Sequence, residues 1–128
     1  MRLAKIIFRL AALWGFVILL PLYFLRERIG RDAPPPVTHP EYFYGFIGVA
    51  LVMQIIFVMI ASDPARFRPL MLASILEKLI FVVPVLMLHS QGAVPVSTFR
   101  FSLIDLVWGG LFVIAYIKTA PSQPQLET

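Results

Sequence analysis

The sequence contains no cysteine and few charged residues. Among its 128 residues, 11 are lysine or arginine and 7 are aspartate or glutamate, which gives a formal net charge of +4. The absence of cysteine excludes disulfide bonds and thiolate metal sites. The basic residues form no stripe on a recognisable nucleic-acid-binding motif, so no nucleic-acid partner is expected.

Motifs that would indicate catalysis or a cofactor are also missing. There is no phosphate-binding glycine loop and no nucleophile motif. His39 and His89 lie far apart and have no neighbouring ligand pattern, whereas a metal site needs three or four ligands. We therefore expect no catalytic residue, no metal and no cofactor.

Apolar residues dominate the sequence. The hydrophobic fraction is 59% and the mean hydropathy is +0.86, whereas the apolar share of soluble domains is about 45–50%. Stretches of about 20 apolar residues can cross a bilayer core of about 30 Å. The pattern predicts an all-α fold, a four-helix antiparallel transmembrane bundle that forms one integral membrane domain over residues 1–128. The predicted spans are 6–25, 42–62, 69–88 and 101–118, and a disordered tail is predicted over 119–128.

The N-terminus resembles a secretory signal, because three basic residues precede an apolar run. That run is longer than the 7–15 residues usual in a signal, and no small-residue cleavage site follows it. We expect an uncleaved first span.

The connections carry further signals. Pro34-Pro35-Pro36 favours an extended polyproline segment between the first two spans. Asp63-Pro64 is typical of a helix start, with Asp as the cap and Pro in the first turn. Because the link between the second and third spans is short, we predict that these two spans are the tightest pair.

The orientation follows from the distribution of basic residues. If the N-terminus is cytoplasmic, the inner side holds six basic residues and the outer side holds four. The inner set is Arg2, Lys5, Arg9, Arg66, Arg68 and Lys118, and the outer set is Arg26, Arg28, Arg31 and Arg100. The positive-inside rule then predicts that both termini are cytoplasmic.

The third span carries two adjacent charges, Glu77 and Lys78, near its middle. Charges at that depth are costly, and they usually face the bundle interior or a wet cavity. Counting helical rise from the inner ends predicts one layer with Glu77. The layer comprises Trp14, Gly15, Gln54, Glu77, Gly109 and Gly110.

Lys78 is expected to turn away from Glu77, because adjacent helical residues point about 100° apart. Asp105 is its expected counter-charge, although the depth count separates the two by about 10 Å. Tyr116 shares the polar stripe of Asp105 on the fourth span. The candidate residues for ligand or proton binding are Glu77, Lys78, Gln54, Asp105, Trp14 and Tyr116.

Two interpretations of these polar residues are open. They are either structural contacts that fix helix register or the lining of a functional polar cavity. Interhelical hydrogen bonds contribute only about 0.6–2 kcal/mol each. A charge costs about 2.5–3.5 kcal/mol at the centre of a span. The balance favours a functional cavity.

Three blocks of sequence carry a resemblance: 42–54, 63–69 and Leu76-Glu77-Lys78. Together they resemble small uncharacterised bacterial membrane proteins with four spans, a group that implies no particular activity. The size and topology are also similar to those of DoxX-like proteins, whose motifs find no match here. Small multidrug exporters have four spans and a membrane Glu, but theirs lies in the first span. The resemblance implies a plasma (bacterial inner) membrane location.

Three functions are compatible with the sequence. The first is a non-enzymatic binding or interaction protein whose polar layer binds a partner helix or a small lipophilic ligand. The second is a proton- or cation-linked transporter that uses Glu77. The third, which the missing motifs disfavour, is a membrane enzyme acting on lipid through Glu77 or Asp105. The expected partners are the lipid bilayer and either further copies of the chain or another membrane protein.

Overall fold

The computed structural model describes residues 1–122 and confirms the predicted all-α bundle. Four long helices and one short helix follow each other in this part of the chain. They are α1 (Arg2–Leu22), α2 (Arg26–Asp32), α3 (Pro40–Ser62), α4 (Arg68–Ser90) and α5 (Val96–Lys118). Residues 123–128, which make up most of the predicted tail, lie outside the described residues.

Helices α1, α3, α4 and α5 are each long and apolar enough to cross a membrane. Most of their large apolar side chains, such as Val49, Ile80 and Val107, are exposed on the outside of the bundle. Helices that are apolar on both their packed and their exposed faces are suited to lipid surroundings. A helix also satisfies its backbone hydrogen-bonding groups internally, as the hydrocarbon region requires. The chain is therefore built as a multi-pass membrane protein.

The bundle consists of two helix pairs. Helix α1 packs along α3, and α4 packs along α5, while α1 and α5 provide most of the contact between the pairs. The prediction that the second and third spans form the tightest pair is wrong, because α3 and α4 make little contact. The short link brings the ends of α3 and α4 together but does not determine how far their faces pack.

A buried aromatic core lies at the end of the bundle that carries the termini. The fully buried rings of Phe8, Phe57 and Phe112 come from α1, α3 and α5. The Phe8 and Phe112 rings stack with centroids 4.4 Å apart, and the Phe57 and Phe112 rings meet edge to face at 5.0 Å. We call these three residues the aromatic triplet. Small side chains around it, including Ala11 and Ala115, let the helix backbones approach closely.

The connections differ from the sequence-based expectation in two places. Residues Arg26–Asp32 form the short helix α2, whereas the sequence favoured only an extended polyproline segment within this connection. Asp63 begins a single turn, in which its Oδ1 accepts a hydrogen bond from the Arg66 amide at 3.2 Å. Helix α4 itself starts only at Arg68. The predicted helix start at Asp63-Pro64 is therefore wrong, because Asp63 caps a turn of the link and not the long helix.

Candidate functional site

A charged cluster of Glu77, Lys78 and Asp105 lies between α4 and α5. Lys78 Nζ is 3.3 Å from Asp105 Oδ1 and 3.3 Å from Glu77 Oε2. Its side chain is buried, and the whole residue is only 7% exposed. The ammonium also lies 5.5 Å from the centroid of the Phe57 ring. The cluster therefore borders the aromatic triplet.

Gly109 allows the two helices to approach at the charged cluster. A Cβ atom at this position would lie 3.4 Å from Lys78 Cβ, so any larger side chain would press on the lysine stem. Small residues permit this kind of close helix contact in membranes. The lysine stem thus passes directly over the backbone of α5 before its ammonium reaches Asp105.

The structure corrects one expectation about the cluster. Glu77 and Lys78 were predicted to point apart, but their charged groups meet at 3.3 Å. The helical angle separates the Cβ atoms, whereas the long stems of both side chains bend toward the same interface. The same flexibility lets Lys78 reach Asp105 across the axial offset found in the depth count.

The hydrogen bonds in the cluster are unevenly distributed. Lys78 Nζ donates to Asp105 Oδ1. Glu77 Oε2 is buried and accepts no hydrogen bond from any residue in 1–122, although it lies close to the ammonium. With all three groups ionised, the cluster holds one positive and two negative charges. In that state it would carry an excess negative charge inside the predicted membrane region.

Gln54 lies in the other helix pair. It is 3% exposed, and its Nε2 donates to the Ala50 carbonyl one turn earlier at 2.9 Å. Its amide rests on Gly15 of α1, where an added Cβ would overlap the Gln54 side chain. The structure therefore brings Gln54 to Gly15, as the predicted layer requires. Within residues 1–122, no hydrogen bond joins Gln54 to Glu77.

Two of the predicted site residues lie elsewhere. Trp14 is exposed on α1. Tyr116 lies at the termini end, where its carbonyl oxygen accepts hydrogen bonds from Arg68 Nη2 at 2.9 Å and Nε at 3.3 Å. The Arg68 guanidinium also lies 3.7 Å from the centroid of the Tyr116 ring. The structure does not bring these residues to the charged cluster.

Arg68 was missed as an interhelical contact in the sequence. The available signal was its position at the start of a span, beside the end of an antiparallel neighbour. The last carbonyls of a helix lack intrahelical partners and attract cations. Arg68 joins α4 to α5 at the end of the bundle that carries the termini. The charged cluster joins the same two helices at a second level.

An apolar groove follows the outer side of the α4–α5 contact. It has a volume of about 240 Å³ and is lined by Ile75, Lys78, Leu79, Val82, Leu106, Gly109, Gly110 and Val113. A Cβ at Gly110 would meet no atom within 4 Å. Lys78 is among the residues that line the groove, whereas Glu77 and Asp105 are not.

The described part of the chain contains no group of three histidine, cysteine, aspartate or glutamate residues that could hold a metal ion. No protein-family model, curated protein or solved structure matches the chain. Its function is therefore inferred from its own residues.

Proposed function

We propose that this integral membrane protein is a non-enzymatic binding protein. Its charged cluster binds a small lipophilic ligand, or a partner helix, that carries a positive charge. The observation that supports this proposal is the unequal charge of the cluster. One lysine faces two carboxylates, and Glu77 Oε2 accepts no hydrogen bond within residues 1–122. A cationic group or a bound proton supplies the missing charge.

A purely structural role explains the cluster less well. Lys78 and Asp105 alone would make a neutral pair that fixes the register of α4 on α5. Adding Glu77 leaves an uncompensated charge in a region of low dielectric, which destabilises a fold. A residue that costs stability in the unliganded state is typical of a binding site.

We further propose that this protein resides in the bacterial inner membrane with both termini in the cytoplasm. The support is the basic distribution, since six arginines and lysines lie at the end that carries the termini and the α3–α4 link. Reporter fusions at the C-terminus and within 33–39 should report opposite sides. Fusions that report the same side would refute the arrangement of four crossings.

Proton- or cation-linked transport is the second candidate. The slight contact between α3 and α4 favours it, because the α1–α3 and α4–α5 pairs share a limited interface. Transport requires two arrangements of packed elements around a fixed site. Glu77, in the charged cluster of the α4–α5 pair, would then carry the exchanged proton or cation.

The test uses tetraphenylphosphonium as a lipophilic cation. Full-length protein in detergent should bind the cation, and Glu77→Gln should reduce affinity by about tenfold or more, because a charge-assisted contact is lost. The matched control is Glu41→Gln, which removes an exposed carboxylate at the start of α3. Equal affinity in the parent and in Glu77→Gln would refute the binding proposal.

Binding and transport are separated in sealed vesicles that contain a pH-sensitive dye. Addition of the cation outside should leave the internal pH unchanged if the protein only binds its ligand. Proton movement that the parent supports and Glu77→Gln does not would establish the transporter in its place.

A further inference from the structure

A polar cavity, distinct from the apolar groove, lies at the opposite end of the bundle from the termini. It is located where α1 ends and α2 begins, and its volume is about 190 Å³. The lining residues are Tyr23, Phe24, Arg26, Glu27 and Tyr44. Drug-sized ligands need roughly 300–1,000 Å³, so this cavity fits a smaller polar group.

Two tyrosines form an aromatic wall. The rings of Tyr23 and Tyr44 stack with centroids 5.9 Å apart and planes inclined by 9°. The Arg26 guanidinium lies 5.9 Å from the Tyr44 centroid. The ring holds the arginine at the cavity and offers a negative π-face to a cation.

Arg26 and Glu27 bring opposite charges to the same cavity. Arg26 is half-buried, and Glu27 is exposed. Within residues 1–122, neither forms a salt bridge or a side-chain hydrogen bond, although they are neighbours in the sequence. By contrast, Arg28 and Asp32 of the same helix pair at 3.5 Å while their side chains remain 71% exposed. Within residues 1–122, the two charges that line the cavity form no ion pair, whereas the neighbouring charges outside the cavity do.

Phe24 places the cavity beside the acyl chains of a bilayer. Its ring is 89% exposed and follows directly after the apolar helix α1. Aromatic residues at the end of a span lie at the boundary between headgroups and hydrocarbon. A molecule with a polar head in the cavity and an apolar tail would cover this ring.

We infer that the cavity binds the headgroup of a zwitterionic phospholipid. The Arg26 guanidinium would pair with the phosphate, for which its planar fork is suited. The ammonium would lie between the Glu27 carboxylate and the tyrosine rings. The headgroup thereby pairs with both charges that line the cavity at once, which an anionic lipid cannot do. This site is separate from the charged cluster and is independent of the proposed function.

The experiment measures which lipid the full-length protein retains. Protein in detergent is equilibrated with equal amounts of phosphatidylethanolamine, phosphatidylcholine and phosphatidylglycerol that have identical acyl chains. Native mass spectrometry then counts the bound lipids. We expect the two zwitterionic lipids to exceed phosphatidylglycerol, and Arg26→Gln to reduce their retention by about tenfold.

The chain offers a matched control and a variant with a reversed preference. Arg28→Gln changes the same charge two residues away, at an exposed position, and should leave lipid retention unchanged. Glu27→Lys gives the cavity two cations and should shift the preference to phosphatidylglycerol. Both variants lie on the surface helix α2, and circular dichroism checks that the helices remain formed.

Three outcomes would overturn the inference. The first is equal retention of phosphatidylglycerol and the zwitterionic lipids by the parent. The second is an equal loss of lipid in Arg28→Gln and Arg26→Gln. The third is displacement of the lipid by soluble phosphoethanolamine at an equal concentration, which would identify a soluble ligand instead of a membrane lipid.

Discussion

The α1–α3 and α4–α5 pairs share one kind of interhelical contact, but the chemistry of that contact differs between them. In each pair, a long polar side chain of one helix lies against a glycine of the other. Gln54 rests on Gly15 in the first pair, and Lys78 rests on Gly109 in the second. The glycines provide room for the stems at the point where the helices come close.

The two pairs differ in how the polar group is satisfied. The Gln54 amide donates to the Ala50 carbonyl of its own helix, so it needs no group from α1. The Lys78 ammonium depends on two carboxylates, one of which comes from α5. The first contact is neutral and local, whereas the second joins two helices and places one lysine between two carboxyl groups. Under the proposed function, the α4–α5 pair binds the ligand and the α1–α3 pair supports it.

Removing the lysine should have the largest effect. Lys78→Met keeps most of the stem but leaves Glu77 and Asp105 facing each other without a cation. We expect a loss of about 3–5 kcal/mol in the free energy of unfolding, since breaking a buried ion pair strands its partners. Unfolding in mixed detergent, followed by circular dichroism, measures the change.

A charge-free triple variant provides the control for that experiment. Lys78→Met combined with Glu77→Gln and Asp105→Asn should recover most of the lost stability, because no unpaired charge remains. If Lys78→Met alone is as stable as the parent, the charged cluster does not hold α4 to α5.

An intermediate effect is expected at the glycine of the α1–α3 pair. Gly15→Ala would force its Cβ into the Gln54 side chain, which is buried and has little room to move. Overpacking of this kind costs about 1–3 kcal/mol. Gly110→Ala is the matched control, because its Cβ would meet no atom within 4 Å. Thermal unfolding compares the two variants. The steric explanation fails if Gly15→Ala and Gly110→Ala unfold at the same temperature, or if adding Gln54→Ala to Gly15→Ala gives no recovery.

The smallest effect should come from replacing the glutamine itself. Gln54→Leu keeps a similar side-chain volume. It removes an amide that donates a hydrogen bond to a carbonyl of its own helix. We expect a change of less than about 1.5 kcal/mol, as for other volume-conserving substitutions. The same unfolding measurement applies. A loss as large as that of Lys78→Met would mean that the two pairs are not different in kind.

The sequence predicted the number of long helices well, because each apolar stretch is long enough to cross a bilayer and is bounded by charges or prolines. It missed α2, since Arg26-Glu27-Arg28 followed by Gly30 has the composition of a loop. In the structure, Glu27 lies in the first turn and Arg28 pairs with Asp32 one turn later. Such local pairs add only a few tenths of a kcal/mol, too little to be recognised in advance.

The candidate site was predicted in part. Counting helical rise brought Gln54 to the level of Gly15, and the need for a counter-charge identified Asp105 for Lys78. Depth alone placed Trp14 in the same layer, although it lies on the exposed side of α1. The convergence of Glu77 and Lys78 was missed, because a helical wheel records where side chains start and not where flexible stems end. The pairing of α1 with α3 and of α4 with α5 depends on which helix faces pack together. Hydrophobic periodicity does not predict this, because these helices are apolar on most faces.

The aromatic triplet has an electrical consequence. Phe8, Phe57 and Phe112 fill the core of the bundle on the side of the termini. Under the proposed function, we therefore expect the proton or cation to reach Glu77 from the opposite side. Glu77 lies about 13 Å along α4 from Arg68, somewhat less than halfway through a core of about 30 Å. An incoming charge therefore crosses roughly half of the transmembrane voltage, worth about 1.2 kcal/mol at 100 mV. Occupancy of the cluster should change several-fold with membrane potential, which would make the bound ligand a reporter of the energised state of the membrane.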